Sequence, residues 1–499
     1  MPLIIQGGMG AGVSNWNLAR IVASTGQLGV VSGTAIDVIV ARRLQDGDPG
    51  GAIRRALEHF PYSEIAERLL KKWFRKGGRG GKPYKPIRMH SFELHPDTVH
   101  LCVAANFCEV WLAKQGHNGF VGINYLEKLQ IPHLPSLFGA MLAGVDVVIM
   151  GAGIPREIPS VLAAFESGSE AEYPVTVTGA CNRTMRLRFR PSDFFPTVPP
   201  SLKKPRFLPI VSSLVLAKSL LRSAADGIDG FVIEGPTAGG HNAPPRGLLQ
   251  LSEEGEPIYG ERDAVDLALF RRLGKPFWLA GSHGRKGKLA EALEEGAAGI
   301  QVGTAFALCR DSGLDPQLRR RILDGIFQNR VRVFTDPVAS PTGFPFKVTL
   351  LPGTLSDDGI YEARTRICDL GYLRENYLAE DGKVRYRCPS EPVKAFLAKG
   401  GEKEAVKKKK CLCNALMANI GMGQIRGNGA AELPLVTLGD EVDVVRQFCT
   451  AERPDYSATD VIEFLLRDVK VVDHCRNAYR EEDPPRNEDL EPVPHPAYV

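Results

Sequence analysis

GFVIEGPTAGGH, residues 230–241, is a short apolar run that ends in two adjacent glycines and a histidine. An unbroken run such as Gly230-Phe-Val-Ile233 suits a strand buried on both faces, as strands of parallel sheets are. Beyond it, Gly239 and Gly240 permit φ > 0 and let the backbone approach a flat ligand closely. His241 then stands at the strand's mouth, with a pKa expected near neutrality and suited to moving a proton. Taken alone, the same residues also read as a Gly-Gly turn with an ordinary loop histidine. The other glycine clusters decide between the two readings.

Seven more runs of this kind recur: Leu3–Gln6, Leu28–Ser32, Phe120–Asn124, Asp146–Met150, Leu208–Ser212, Phe277–Gly281 and Ala298–Gly303. Helical periodicity follows several of them, at Asn17–Thr25, Leu134–Ala143, Ser213–Ala225 and Gly287–Glu295. Eight buried strands alternating with helices predict an α/β fold, a (β/α)8 TIM barrel occupying residues 1–335. Two insertions interrupt it. Residues 43–118 are expected to hold an amphipathic helix (Ile65–Arg75), a basic loop and an extra strand, and residues 168–206 a hairpin over the barrel mouth. Residues 336–482 read as a cysteine-containing C-terminal domain and 483–499 as a disordered tail.

In such barrels the active site forms where strands end and loops begin. Here almost every strand end is small or polar: Gln6-Gly-Gly-Met9, Ser32-Gly-Thr34, Asn124-Tyr125, Gly151-Ala-Gly153, Ser212-Ser213, Gly281-Ser-His-Gly284 and Gly303-Thr304. Small residues leave room for a wide planar ligand, and polar groups remain to bind its edges. The last two clusters sit after strands seven and eight, where barrel enzymes commonly hold a phosphate on loop amides. The alternative is a pair of tight turns with N-capping hydroxyls.

The motifs LIIQGGMG, VGIN, VVIMGAGIP, LPIVSSLVLAK, EGPTAGGH and GAAGIQVGTAFAL, in this order, resemble the nitronate monooxygenase (2-nitropropane dioxygenase) family. Flavin-dependent enoyl-acyl carrier protein reductases share that barrel. The resemblance implies FMN, with Gln6, Gly7, Gly8, Met9 and Asn124 along the ring and the phosphate on Gly240, Gly281, Ser282, Gly303 and Thr304. It also implies a role for Lys218 at the phosphate or flavin edge, although a surface lysine fits equally, and identifies His241 as the base or nitronate-binding group. The segment after it, AGGHNAPPRG, departs from the family pattern and brings in Arg246 as a second group for nitro oxygens. Two activities follow: oxidation of alkyl nitronates with dioxygen to a carbonyl compound and nitrite, or NAD(P)H-dependent reduction of an enoyl thioester. A third reading is a flavin-binding electron-carrier subunit.

Composition narrows the partners. With 43% hydrophobic and 24% charged residues the chain is an ordinary globular protein, with no apolar run of membrane-spanning length. The absence of a signal-peptide pattern and ten cysteines in 499 residues point to a reducing cytoplasm. The net charge of +4 conceals KKWFRKGGRGGKPYKPIR (residues 71–88), with eight basic groups and no acid. It reads as a solvated loop or as a docking patch for an acidic acyl carrier, coenzyme A or electron-transfer partner; no nucleic-acid module is present. Finally, Cys368, Cys388, Cys411 and Cys413 cluster in one window beside Lys407–Lys410. Thiolates ligate a 4Fe–4S cluster or zinc, and Pro389 after Cys388 matches the Cys-Pro of some cluster sites. Their spacing fits no CxxC pattern, so four small core residues are the competing reading.

Overall fold

The computed structural model describes residues 2–469 apart from 181–183, 200, 225, 226, 428 and 468. The expected tail at 483–499 lies outside the described residues.

All eight expected strands are present: Ile4–Gln6, Gly29–Ser32, Val121–Leu126, Val147–Gly151, Arg206–Val211, Phe231–Glu234, Phe277–Ala280 and Gly299–Val302. They pair in parallel, each with its neighbour in chain order. The first and eighth pair along Ile4–Ile300, and Leu28 closes the barrel by exchanging backbone hydrogen bonds with Ile4 and Gln6 at 3.0 Å each. The alternation of each strand sends one set of side chains inward. Ile5, Val30, Ile149, Leu208, Val232 and Trp278 fill the interior, and the Trp278 indole donates to the Pro2 carbonyl at 2.9 Å. The opposite faces are buried beneath the outer helices, which explains why these strands read as continuous apolar runs.

The first insertion differs from expectation. Its amphipathic helix is Ser63–Trp73, but residues 43–118 contain no strand. The apolar run there forms the helix Pro96–Ala113, with Pro96 in its first turn and His95 as N-cap. Apolar on all sides, it lies between the helices Trp16–Ser24, Ile36–Gln45 and His133–Leu142. It approaches the last so closely that a Cβ on Gly139 would lie 2.3 Å from the Val103 carbonyl.

The second insertion is the expected antiparallel hairpin, Ala171–Val175 with Met185–Phe189. None of its described residues lines the mouth. Phe189 packs edge-on against Phe138 and Phe165, so the hairpin sits on the outer helices His133–Leu142 and Ile158–Glu166. The mouth is met instead by the region after the barrel. A ribbon, Arg332–Asp336 with Phe346–Leu350, leads into it, followed by a second ribbon (Glu375–Leu378 with Val384–Arg387) and the helices Leu412–Asn419 and Ala458–Leu466. Val436, Leu438, Val445, Tyr456 and Val461 of this region belong to the same apolar core as the barrel.

Candidate active site

A cavity of about 210 Å3 opens at the C-terminal ends of the strands. Strand alternation builds its floor. Two residues beyond the interior positions Ile149, Leu208, Val232 and Trp278 come Gly151, Ile210, Glu234 and Ala280, all of which line it. The same parity removes Gln6 from the expected set. Ile5 faces inward, so Gln6 faces outward: its side-chain oxygen accepts from Val30 N at 3.0 Å and its amide donates to Ser14 Oγ at 2.8 Å. Ser14 Oγ in turn accepts from Met9 N and donates to the Gly7 carbonyl, each at 2.9 Å. Gln6 therefore positions the loop from beneath, while Gly7, Gly8 and Met9 line the cavity. Gly8 is required there, because a Cβ would come 2.3 Å from that of Asn124, another lining residue.

The glycine pair behaves differently from expectation. Both glycines line the cavity, but the close approach at Gly239 is to protein: a Cβ there would lie 2.9 Å from Gly439 N. Gly240 N donates to Thr437 Oγ1 at 3.0 Å, and Gly439 N donates to Thr304 Oγ1 at 2.9 Å. The segment 437–439 thus occupies two groups expected to face a phosphate. What remains is Gly281, Ser282, His283 and Gly303. Gly281 and Ser282 both have left-handed φ, +95° and +57°. The Ser282 hydroxyl and His283 Nδ1 are buried with no hydrogen-bond partner in the protein. Two orphaned polar atoms at one strand end are costly unless a ligand satisfies them, and a phosphate ester fits that donor set.

His241 is clamped from the C-terminal side. Its backbone bridges to Phe346, its Nε2 shares a 2.7 Å hydrogen bond with Ser340 Oγ, and its ring meets Phe346 edge-on at 4.8 Å. Burial pushes its pKa down to about 4, well below the expected near-neutral value, so the imidazole is neutral at pH 7. Glu234 moves the opposite way: burial raises its carboxyl to about 8, against a smaller opposing pull from Lys347. Lys347, 2% exposed, is itself held by Asp440 at 2.6 Å and Thr335 Oγ1 at 2.7 Å. The cavity lining therefore combines an imidazole that burial pushes toward its neutral form with a carboxyl that burial pushes toward its protonated form.

Two expected residues lie elsewhere. Lys218 is exposed on the helix Leu214–Ala224 and lines no part of the cavity. Arg246 is exposed too, its guanidinium donating to the Ser212 carbonyl at 2.8 Å. Sequence reading missed the roles of Glu234, Ser340, Lys347 and the segment 436–441. Glu234 was accessible by counting strand parity from Val232; the others follow no periodic signal. Cys368, Cys388, Cys411 and Cys413 line a second, smaller cavity.

Comparison with known proteins agrees with the motifs. Residues 205–337, from the fifth barrel strand to the first ribbon, match the family model for nitronate monooxygenase. A curated relative, (3aS,4S,5R,7aS)-5-hydroxy-7a-methyl-1-oxo-octahydro-1H-indene-4-carboxyl-CoA dehydrogenase of Mycobacterium tuberculosis, is 32% identical over 114 residues. That alignment spans 23% of this chain and 29% of the relative. Among solved structures, FabK from Thermotoga maritima is 16% identical with a TM-score of 0.46, covering 93% of this chain and 91% of that one. Nitroalkane oxidase from Streptomyces ansochromogenes is 17% identical with a TM-score of 0.40, covering 93% and 94%. No described helix is long and apolar enough to cross a membrane.

Proposed function

We propose that this chain is an FMN-dependent oxidoreductase of the nitronate monooxygenase type, oxidising alkyl nitronates with dioxygen to a carbonyl compound and nitrite. The observation that carries the reading is the strand-end cavity with the unpartnered Ser282 hydroxyl and His283 Nδ1 at its phosphate end. Gly281 and Gly303 would add backbone amides there, and Gly7, Gly8, Met9 and Asn124 would flank the ring, Met9 through its polarizable sulfur. Bound FMN supplies the two-electron chemistry; the protein supplies orientation and electrostatics.

The neutral Glu234 carboxyl donates a hydrogen bond to an anionic oxygen of the substrate without adding charge of its own. His241, held by Ser340, orients the substrate and takes up a proton when an anion beside it raises its basicity. The C-terminal segment 436–441 closes the cavity wall and limits water beside the reacting atoms.

A second reading, reduction or oxidation of an acyl thioester with a nicotinamide donor, draws on two observations. The curated relative acts on a CoA thioester, and a histidine depressed to about 4 is a weak base for a neutral nitroalkane. A neutral acid such as Glu234 also suits polarising a thioester carbonyl. Anaerobic mixing of the holoprotein with an alkyl nitronate, NADH and NADPH in turn separates the two. Bleaching of the flavin band by the nitronate alone supports the first reading; bleaching by a nicotinamide alone replaces it with the second.

A further inference from the structure

Away from the main cavity, four thiols meet. Cys368 lies in the loop after the helix Asp358–Ala363, and Cys388 directly follows the strand Val384–Arg387. Cys411 caps the helix Leu412–Asn419, and Cys413 lies in its first turn. These separate segments converge on one small cavity lined by all four cysteines. None forms a disulfide. We propose that Cys368, Cys388, Cys411 and Cys413 bind a 4Fe–4S cluster.

Spacing separates a cluster from a single ion. Tetrahedral zinc with thiolates at about 2.3 Å requires sulfurs about 3.8 Å apart. Among the described residues, the ligand atoms that gather within 4.8 Å of one another are those of Asp37, His90 and Cys102, and the four thiols form no such group. Asp37, His90 and Cys102 have a simpler account, since the Asp37 carboxylate is already satisfied by His90 Nε2 at 2.8 Å, Tyr372 OH and Val38 N. The four thiols line one cavity without meeting that closeness as a group, and four cysteines are the standard ligand set of an iron–sulfur cluster.

The surroundings suit a group with net negative charge. Arg374 lines the cavity, while the two acids on its wall are neutralised elsewhere: Asp369 by Arg426 and Glu391 by Lys399, each at 2.8 Å. Arg366 fixes the loops on either side, donating to the Pro389 carbonyl at 3.0 Å and the Val406 carbonyl at 3.2 Å.

The site also adjoins the main cavity by two routes. Leu416 lines the main cavity on the same helix as Cys413, at an axial rise of about 4.5 Å by the helical repeat. Pro341 lines the cysteine cavity, and its neighbour Ser340 holds His241. Cys413 therefore lies within one helical turn of a residue on the main cavity's wall. This assignment rests on the thiols alone and stands whichever substrate the main cavity takes.

The test is iron and acid-labile sulfide analysis of the full chain purified without oxygen, with electron paramagnetic resonance after dithionite reduction. The expected result is about four iron and four sulfide per chain and a reduced-cluster signal. Stoichiometric zinc overturns the proposal, as does iron below a tenth of an atom per chain after anaerobic reconstitution with ferrous iron and sulfide. Cys413→Ser and Cys388→Ala are each expected to lose at least tenfold of the iron, whereas Cys449→Ser keeps it. Full iron retention in both ligand variants overturns the ligand assignment. If these variants do not fold, the wild-type iron and sulfide content decides.

Discussion

The barrel and the region after it bury different chemistry. Barrel strands carry Ile, Val, Leu and Trp on their inner faces and apolar residues beneath the helices, so their association depends on area removed from water. The described residues of 338–469 form short ribbons and short helices around a smaller apolar cluster, and add ion pairs in which at least one partner is buried. Arg364 pairs with Glu432, Lys410 with Asp358 at 2.5 Å, Lys399 with Glu391 at 2.8 Å, and Lys347 with Asp440 at 2.6 Å. Truncating a side chain in a hydrophobic layer costs its transfer free energy and a cavity, whereas a buried ion that loses its partner leaves an uncompensated charge. The difference bears on function because the ion-rich part clamps His241 and the glycine pair.

The largest effect should come from breaking that part alone. Glu432→Gln strips the anionic partner from Arg364 and Arg426, both bonded to it, at an expected cost of about 3–5 kcal/mol. Hydrogen exchange read by mass spectrometry should show peptides from 338–469 losing protection while barrel-strand peptides keep theirs. Equal loss in both would mean that the two parts unfold as one unit.

His241→Ala asks whether the clamp serves chemistry. Turnover should fall roughly 10²–10⁴-fold with the flavin spectrum retained, the range for losing a positioned acid or base. Unchanged turnover would make the histidine a structural loop residue.

A smaller effect is expected at the phosphate end. Ser282→Ala should weaken FMN binding roughly 10–150-fold, since a hydrogen bond to a charged group is worth roughly 1.5–3 kcal/mol. Lys218→Ala should leave flavin affinity within experimental error. The reverse ranking would restore the lysine and displace the serine.

The smallest signal is in pH. Glu234 has a folded pKa of about 8, above its ordinary 4.5, so the folded state holds the proton longer than the unfolded chain. Its contribution is fully present below about 4.5 and is lost as pH rises through about 8. Glu234→Gln should flatten that decline in stability and abolish a falling limb near pH 8 in kcat/KM. His241 runs oppositely: with its folded pKa near 4, stability is lost as pH falls from about 6.5 through 4.

The same contrast explains what could be read from the chain. Each barrel strand announces itself by its own apolar run, and the strand ends, once aligned, put Gly7, Asn124, His241, Gly281 and Gly303 around one mouth. Parity would also have turned Gln6 outward and Glu234 inward. The hairpin's position and the helix Pro96–Ala113 escaped because tertiary contacts, not periodicity, decide them. No local pattern foretells that Thr437 and Gly439 engage Gly240 and Thr304, since those pairs are remote in sequence and polar.

An FMN site at the barrel mouth requires the purified protein to carry the chromophore. Acid or heat release from the purified full chain, with identification by chromatography and mass, should yield FMN at about one per chain. FAD in its place, or no flavin retained even after incubation with excess FMN, would contradict the account.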